Sequence, residues 1–239
     1  MKFYKALDSV KLKKYSEVDK KQFALTFYSK SGFKSSELFD KELKKKVSNF
    51  FTDEKRSSLF LSKELTGLKG DFLVLRDFNK NKSEYKKYAW IKGLFANLDK
   101  YAVENAVIYA DTSHLSKDDN FLFDLAKTAE KASYRYTDTN PNTKKELILK
   151  NVSLTVESAS AAQKRVVELG YNVGSGANTA RNLGDRPANH ATPTYIANAV
   201  KGLAKDIGGF SVEILEEKDM KKLGMGCLLS VSRGSIEPA

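Results

Sequence analysis

His114, His190, Cys227 and scattered carboxylates are the side chains of this 239-residue chain that are best suited to chemistry. A zinc-type centre needs several His or Cys ligands converging, often with paired ligands about two to four residues apart. These three stand far apart in the chain, so no such site is expected. Each histidine reads as a surface or satisfied polar residue, and Cys227, inside an apolar run, as a small core residue of a strand. There is no Gly-x-Ser-x-Gly elbow for a serine nucleophile, and no thiol-protease signature surrounds Cys227. Asp118-Asp119 falls in the opening turn of an expected helix, where negative charge suits the dipole, and the adjacency of Glu216-Glu217 carries no chemistry by itself. Gly170, Gly174 and Gly176 lack the Lys-Ser/Thr of a P-loop and the preceding strand of a dinucleotide fingerprint, so they read as close helix packing. From the residues alone, no catalytic, cofactor-binding or metal residue is assigned.

The elements that would position any site begin as alternating strand-like and helix-like pieces. Phe23, Leu25 and Phe27 recur at period two, and a helix is expected over 36–51. Strands are expected at 58–65 and 71–76, a helix at 83–101 on Tyr88, Ile91, Leu94, Phe95 and Leu98, and a strand at 105–110. A helix over 116–134 and a half-buried strand over 146–156 follow, with a loop at 138–142 between them. The order predicts a mixed α/β domain. Ala162, Val166, Leu169, Val173, Ala177 and Ala180 then recur at spacings of three and four, predicting one long helix over 158–183 whose length suits a connector between domains. Gly184 is placed to end it and Pro187 forbids its continuation.

A second unit opens with Thr192-Pro193, an N-cap followed by proline at the first helical position. Ile196, Val200, Leu203 and Ile207 are its expected buried stripe, and Gly208-Gly209 its stop. A strand at 210–215, a short helix over 218–223 ending at Gly224, and a strand over Cys227–Val231 buried on both faces complete the expectation. With no further strand to continue the sheet, the pattern is that of an α/β domain cut off early. The domains expected are 1–155, a connecting helix 156–184, and 185–239.

Composition excludes collagenous, mucin-like and wholly disordered classes: 41% of the residues are hydrophobic, 11% are aromatic, and there are only 4 Pro and 14 Gly. The lone cysteine and the absence of a leader pattern make a reducing cytoplasm the expected location, and no apolar run approaches the roughly 20 residues of a membrane span. Residues 1–100 hold 24 Lys/Arg against 13 Asp/Glu, which is the whole net charge of +11, whereas residues 101–239 hold 17 of each sign. Only Arg56 and Arg76 among those 24 are arginines, and carboxylates are threaded between the lysines. Base-edge and bidentate phosphate recognition both favour Arg. The excess therefore reads as solvated helix faces, with weak, non-specific, salt-sensitive DNA association the most it supports.

One stretch carries more. Ala177-Asn-Thr-Ala-Arg-Asn-Leu-Gly-Asp-Arg-Pro-Ala-Asn-His-Ala-Thr-Pro193 resembles the domain-junction signature of the leucine aminopeptidase (cytosol aminopeptidase) family, Ala-Arg-Asp-Leu-x-Asn-x-Pro-x-Asn followed by Thr-Pro. Residues 212–226, then Leu228–Val231 and Arg233-Gly234-Ser235, resemble the next part of the same family, so the match covers about 160–236. Two positions depart: Asn182 stands where Asp is usual, and Asp185 where Asn is usual.

The resemblance implies a macro-like mixed-sheet amino-terminal α/β domain, a long connecting helix, and the truncated start of an α/β metallopeptidase domain. It also implies an assembly of six subunits acting on peptides. The family's two divalent ions, Zn or Mn, would be held by a Lys, several Asp and a Glu, and the Lys-Gly-x-Thr-Phe-Asp-Ser-Gly-Gly stretch that carries such residues is not in this chain. The expectation is therefore a non-catalytic portion that binds no metal by itself and is inactive alone. The alternatives are a DNA-binding role for the basic first domain, or a free-standing macro-like ligand-binding module.

Overall fold

A computed structural model describes residues 4–14, 17, 23–28, 41–46, 58–61, 72–76, 83–109, 118–139, 148–156 and 158–239. The strands are β1 (Ser9–Lys14), β2 (Phe23–Tyr28), β3 (Ser58–Leu61), β4 (Phe72–Arg76), β5 (Asn105–Tyr109) and β6 (Asn151–Val156). The helices are α1 (Lys41–Lys46), α2 (Glu84–Lys100), α3 (Asp119–Ala132), α4 (Ala161–Asp185), α5 (Pro193–Ile207), α6 (Glu217–Lys222) and α7 (Gly226–Ser232). The six strands form one sheet in the order β1-β6-β5-β2-β4-β3, parallel throughout except for β3 against β4. Parts of the expected elements at 36–40, 47–51, 62–65, 116–117 and 146–147, together with His114, lie outside the described residues.

Backbone packing divides the chain into two compact units, one of residues 5–135 and 145–175, the other of 1–4, 136–144 and 176–239. The division falls inside α4, between Ser175 and Gly176. In the first unit, Ile91, Leu94, Phe95 and Leu98 of α2 and Phe121, Leu122, Leu125, Ala126 and Ala129 of α3 join Val10, Leu12, Ile108, Val152 and Leu154 in one core. The expected half-buried strand is instead covered on both faces: β6 is buried from Val152 to Val156. Thr155, fully buried, tolerates this because its hydroxyl donates to the Ile108 carbonyl at 3.0 Å.

Helix α4 is unbroken over 25 residues, but the apolar stripe read from the sequence is not the face it buries. Leu169 and Val173 are exposed, while Val167, Gly170, Tyr171, Gly174 and Ser175 are inside the first unit. The reason is close approach to α3. A Cβ at Gly170 would collide with the Phe123 carbonyl oxygen, and one at Gly174 would stand 2.7 Å from that of Lys127. The glycine spacing of four selects the buried face, as expected for helix packing.

In the second unit, the Thr192 side chain accepts from the Tyr195 amide, Pro193 sits in the first turn of α5, and Gly208 ends it at φ 71°. Its expected stripe is not buried, however. Only Ala199 is, and Ile196 and Ile207 are exposed. The segment 210–215 is not a strand: period-two apolar residues need a neighbouring ladder, and none pairs with it among the described residues. Cys227–Val231 is not a buried strand either but part of α7, with Val231 82% exposed and Cys227 on the surface rather than in a core. A five-residue apolar run fits either element, and here the backbone closes locally, with Leu229 N donating to Met225 O at 3.2 Å.

Candidate functional site

Two polar constellations are built into the fold. The first lies inside the first unit. Glu130 falls on the apolar face of α3, four residues after Ala126 and eight after Leu122, and is fully buried. Its two oxygens accept from the backbone amides of Ala6 and Leu7, at 2.6 and 2.9 Å. The Tyr171 hydroxyl of α4 donates to the Leu7 carbonyl at 2.7 Å. Burial, and then the negative charges of Glu130 and Asp8, push the Tyr171 hydroxyl up to about 12 from its ordinary 10.0. This network fixes the approach to β1. Sequence reasoning missed it, although a glutamate on the apolar stripe of a helix was the available signal.

The second constellation is in the second unit, within the stretch that resembles a domain junction. Buried Asn182, on the last turn of α4, donates its amide to Asp138 Oδ2 at 3.4 Å. The Arg186 guanidinium pairs with the same carboxylate and lies over the Tyr195 ring, 5.0 Å from its centre. Arg186 Nε is buried without an acceptor among the described residues. Thr179 accepts from the Tyr4 amide at 3.1 Å. The departure at 182 thus has a physical role: an amide can donate to Asp138, whereas a carboxylate there would compete with it for Arg186.

The residues weighed as chemistry-bearing do not converge. His190 is exposed in the turn after α4, its amide donating to Pro187 O at 2.8 Å. Asp118 is the N-cap of α3, its side chain accepting from Phe121 N. Glu216 stands at the N-cap position of α6 without a side-chain cap bond, and Glu217 lies in its first turn. Among the described residues no three His, Cys, Asp or Glu side chains gather where they could hold a metal ion. The described residues therefore do not fit a two-metal centre.

Comparison with known proteins adds what the geometry lacks. The fold is that of solved leucine aminopeptidases. A mutant of tomato leucine aminopeptidase superposes with TM-score 0.70 at 15% identity, covering 96% of this chain and 49% of that one. A leucyl aminopeptidase of Trypanosoma brucei in complex with actinonin gives 0.66 at 14%, covering 98% and 47%. The bottromycin maturation enzyme BotP in complex with Mn gives 0.63 at 18%, covering 91% and 43%. Residues 178–239 match the model for the catalytic domain of the cytosol aminopeptidase family. A probable cytosol aminopeptidase of Nitrosococcus oceani is 39% identical over 117 residues, 48% of this chain and 23% of that protein. One from Saccharophagus degradans is 34% identical over 155 residues, 59% and 30%. The chain is a relative of the cytosol aminopeptidases, and the resemblance read from its junction stretch holds. The matched stretches span less than a third of those two relatives' length.

Proposed function

We propose that these 239 residues are the amino-terminal portion of a leucyl aminopeptidase, without catalytic residues of their own, comprising a first domain, the junction helix and the start of the catalytic domain. The complete polypeptide removes amino-terminal residues from peptides in the cytoplasm, as a homo-hexamer, with two divalent ions (Zn or Mn) held by residues outside this stretch. The observation that carries the reading is the catalytic-domain match over 178–239. The apolar side chains left exposed there support it: Ile207 at the end of α5, Leu223 just after α6, and Leu228 and Val231 in α7. Large apolar side chains left exposed in this number fit a surface that further chain covers.

No observation favours the DNA-binding or free-standing macro-like alternatives. The test is the coding sequence beyond Ala239 together with an assay of the chain itself. A Lys-Gly-x-Thr-Phe-Asp-Ser-Gly-Gly stretch downstream supports the reading, and its absence overturns it. The purified 239 residues should not hydrolyse leucine amide with added Mn. Turnover that a chelator removes and metal restores would refute the non-catalytic assignment.

A further inference from the structure

We propose that the cleft between strand β1 and helix α4 takes up an extended acidic peptide, which adds to the sheet as a seventh strand. The proposal concerns the first unit alone and does not rest on the aminopeptidase reading. Strand β1 is one end of the sheet and, among the described residues, pairs only with β6. The backbone groups of alternate residues on its outer side have no ladder partner there, and of the β1 amides that of Lys14 donates to the Glu17 side chain, at 3.1 Å. An open strand edge is a template for another strand.

Beside this edge lies a cleft of about 530 Å³, walled by β1 on one side and on the other by α4 with Lys164, Glu168 and Tyr171. A strand edge facing a helix across a groove is the arrangement in which added strands are held, their main chain by the ladder and alternate side chains by the walls.

The charges select the occupant. Lys11 and Lys13 stand on one face of β1, while Val10 and Leu12 turn the other way into the core. Lys5 and Lys164 also line the cleft, and none of these four lysines forms an ion pair among the described residues. Against them stand three carboxylates, Asp8, Glu17 and Glu168, so the lining carries one net positive charge. On one of its two faces an added strand nevertheless meets Lys11 and Lys13 cross-strand, and on the other it meets Val10 and Leu12. A segment with carboxylates at every second position satisfies both lysines. A second copy paired through β1 sets lysines against lysines, and like charges directly opposite are unfavourable.

The experiment uses the 239-residue chain and two capped octapeptides, one alternating valine with glutamate and one alternating valine with lysine. Calorimetry gives affinity, and amide exchange gives the site. The glutamate peptide should slow exchange at amides within Ser9–Lys14 and bind at least about tenfold more tightly than the lysine peptide. In the double variant K11E/K13E, whose substitutions are on the surface strand face, the preference should reverse. Equal affinity for the two peptides, no binding up to about 1 mM, or protection confined to amides outside β1 would overturn the proposal. So would a dimer in sedimentation whose β1 amides are already protected without peptide.

Discussion

Glu130 is the residue on which the amino-terminal approach to the sheet depends. It is a buried carboxylate whose two oxygens accept from the backbone amides of Ala6 and Leu7. Leaving a buried donor unsatisfied costs about 1–3 kcal/mol each. Glu130→Ala should therefore lower the unfolding free energy by about 3 kcal/mol or more, and Glu130→Gln, which keeps one acceptor, by roughly half of that. Urea titration measures both, and equal losses for the two variants would show that the amides are not what the side chain serves. Tyr171 makes a different prediction because its hydroxyl is held protonated. Its folded value of about 12 exceeds the unfolded 10.0, so above pH 10 the unfolded chain sheds this proton first. The folded state then holds more protons, and stability present below pH 10 is lost as pH rises through about 12. Tyr171→Phe should be less stable at pH 8, having lost the bond to Leu7, but should show a shallower decline between pH 10 and 12. A parallel decline in both proteins would contradict this.

Among the elements, helix ends and helix contacts decide which glycines matter. Helix α2 ends in a left-handed residue that is not glycine: Ala102 has φ 52°, and Val103 N donates back to Leu98 O at 3.3 Å. This is the glycine position of a Schellman end. Met225 N and Gly224 N close α6 in the same way onto Met220 O and Lys221 O, with glycine in place. Ala102→Gly should raise stability by about 0.5–1 kcal/mol, the relief of left-handed strain outweighing added chain entropy. In α4 two glycines divide. Gly184 has nothing within 4 Å of where a Cβ would stand, so Gly184→Ala should gain up to about 1 kcal/mol of helix propensity. At Gly174 the same gain meets the Lys127 carbonyl and the Glu130 Cβ, at 2.7 and 2.9 Å. Neither is the free end of a flexible chain, so Gly174→Ala should lose about 1–3 kcal/mol. Opposite signs in thermal melts check the pair. These contacts also explain what the sequence made legible. Caps and stops such as Thr192-Pro193, Gly208 and Gly224 are local chemistry and were readable. The buried face of α4 was not, because it is set by how near α3 can come, and hydrophobic spacing pointed to Leu169 and Val173 on the outside. The strand expected at Cys227–Val231 failed for a related reason, since an apolar run becomes a strand only beside a partner. The junction motif was legible as residues, but Asp138, which Asn182 and Arg186 share, came from a distant loop and could not be found by spacing.

Across the whole molecule, apolar burial is concentrated in the first unit, and stability should follow it. Every member of the core cluster lies between Leu7 and Tyr171. Among the described residues of the second unit, the buried side chains are Asn178, Thr179, Asn182, Ala199 and Met220, mostly polar or small, while Ile207, Leu223, Leu228 and Val231 remain in water. Burial supplies about 25 cal/mol per Å² of apolar surface, and the backbone ordering of each residue costs about 1–2 kcal/mol. Helices that leave their large apolar side chains exposed recover little of that cost. Segments with few buried apolar contacts open at free energies well below that of global unfolding. Amide exchange should consequently be slowest in β5, β6 and the inner turns of α3, and faster by at least about a hundredfold in α5 and α7. Covering the apolar faces of these two helices by additional chain should raise their protection toward that of the sheet while leaving β5 and β6 unchanged. Measurement on the 239 residues and on a longer polypeptide decides the matter. Protection in α5 and α7 equal to that of β5 in the shorter chain would mean that the second unit is stable without such a cover.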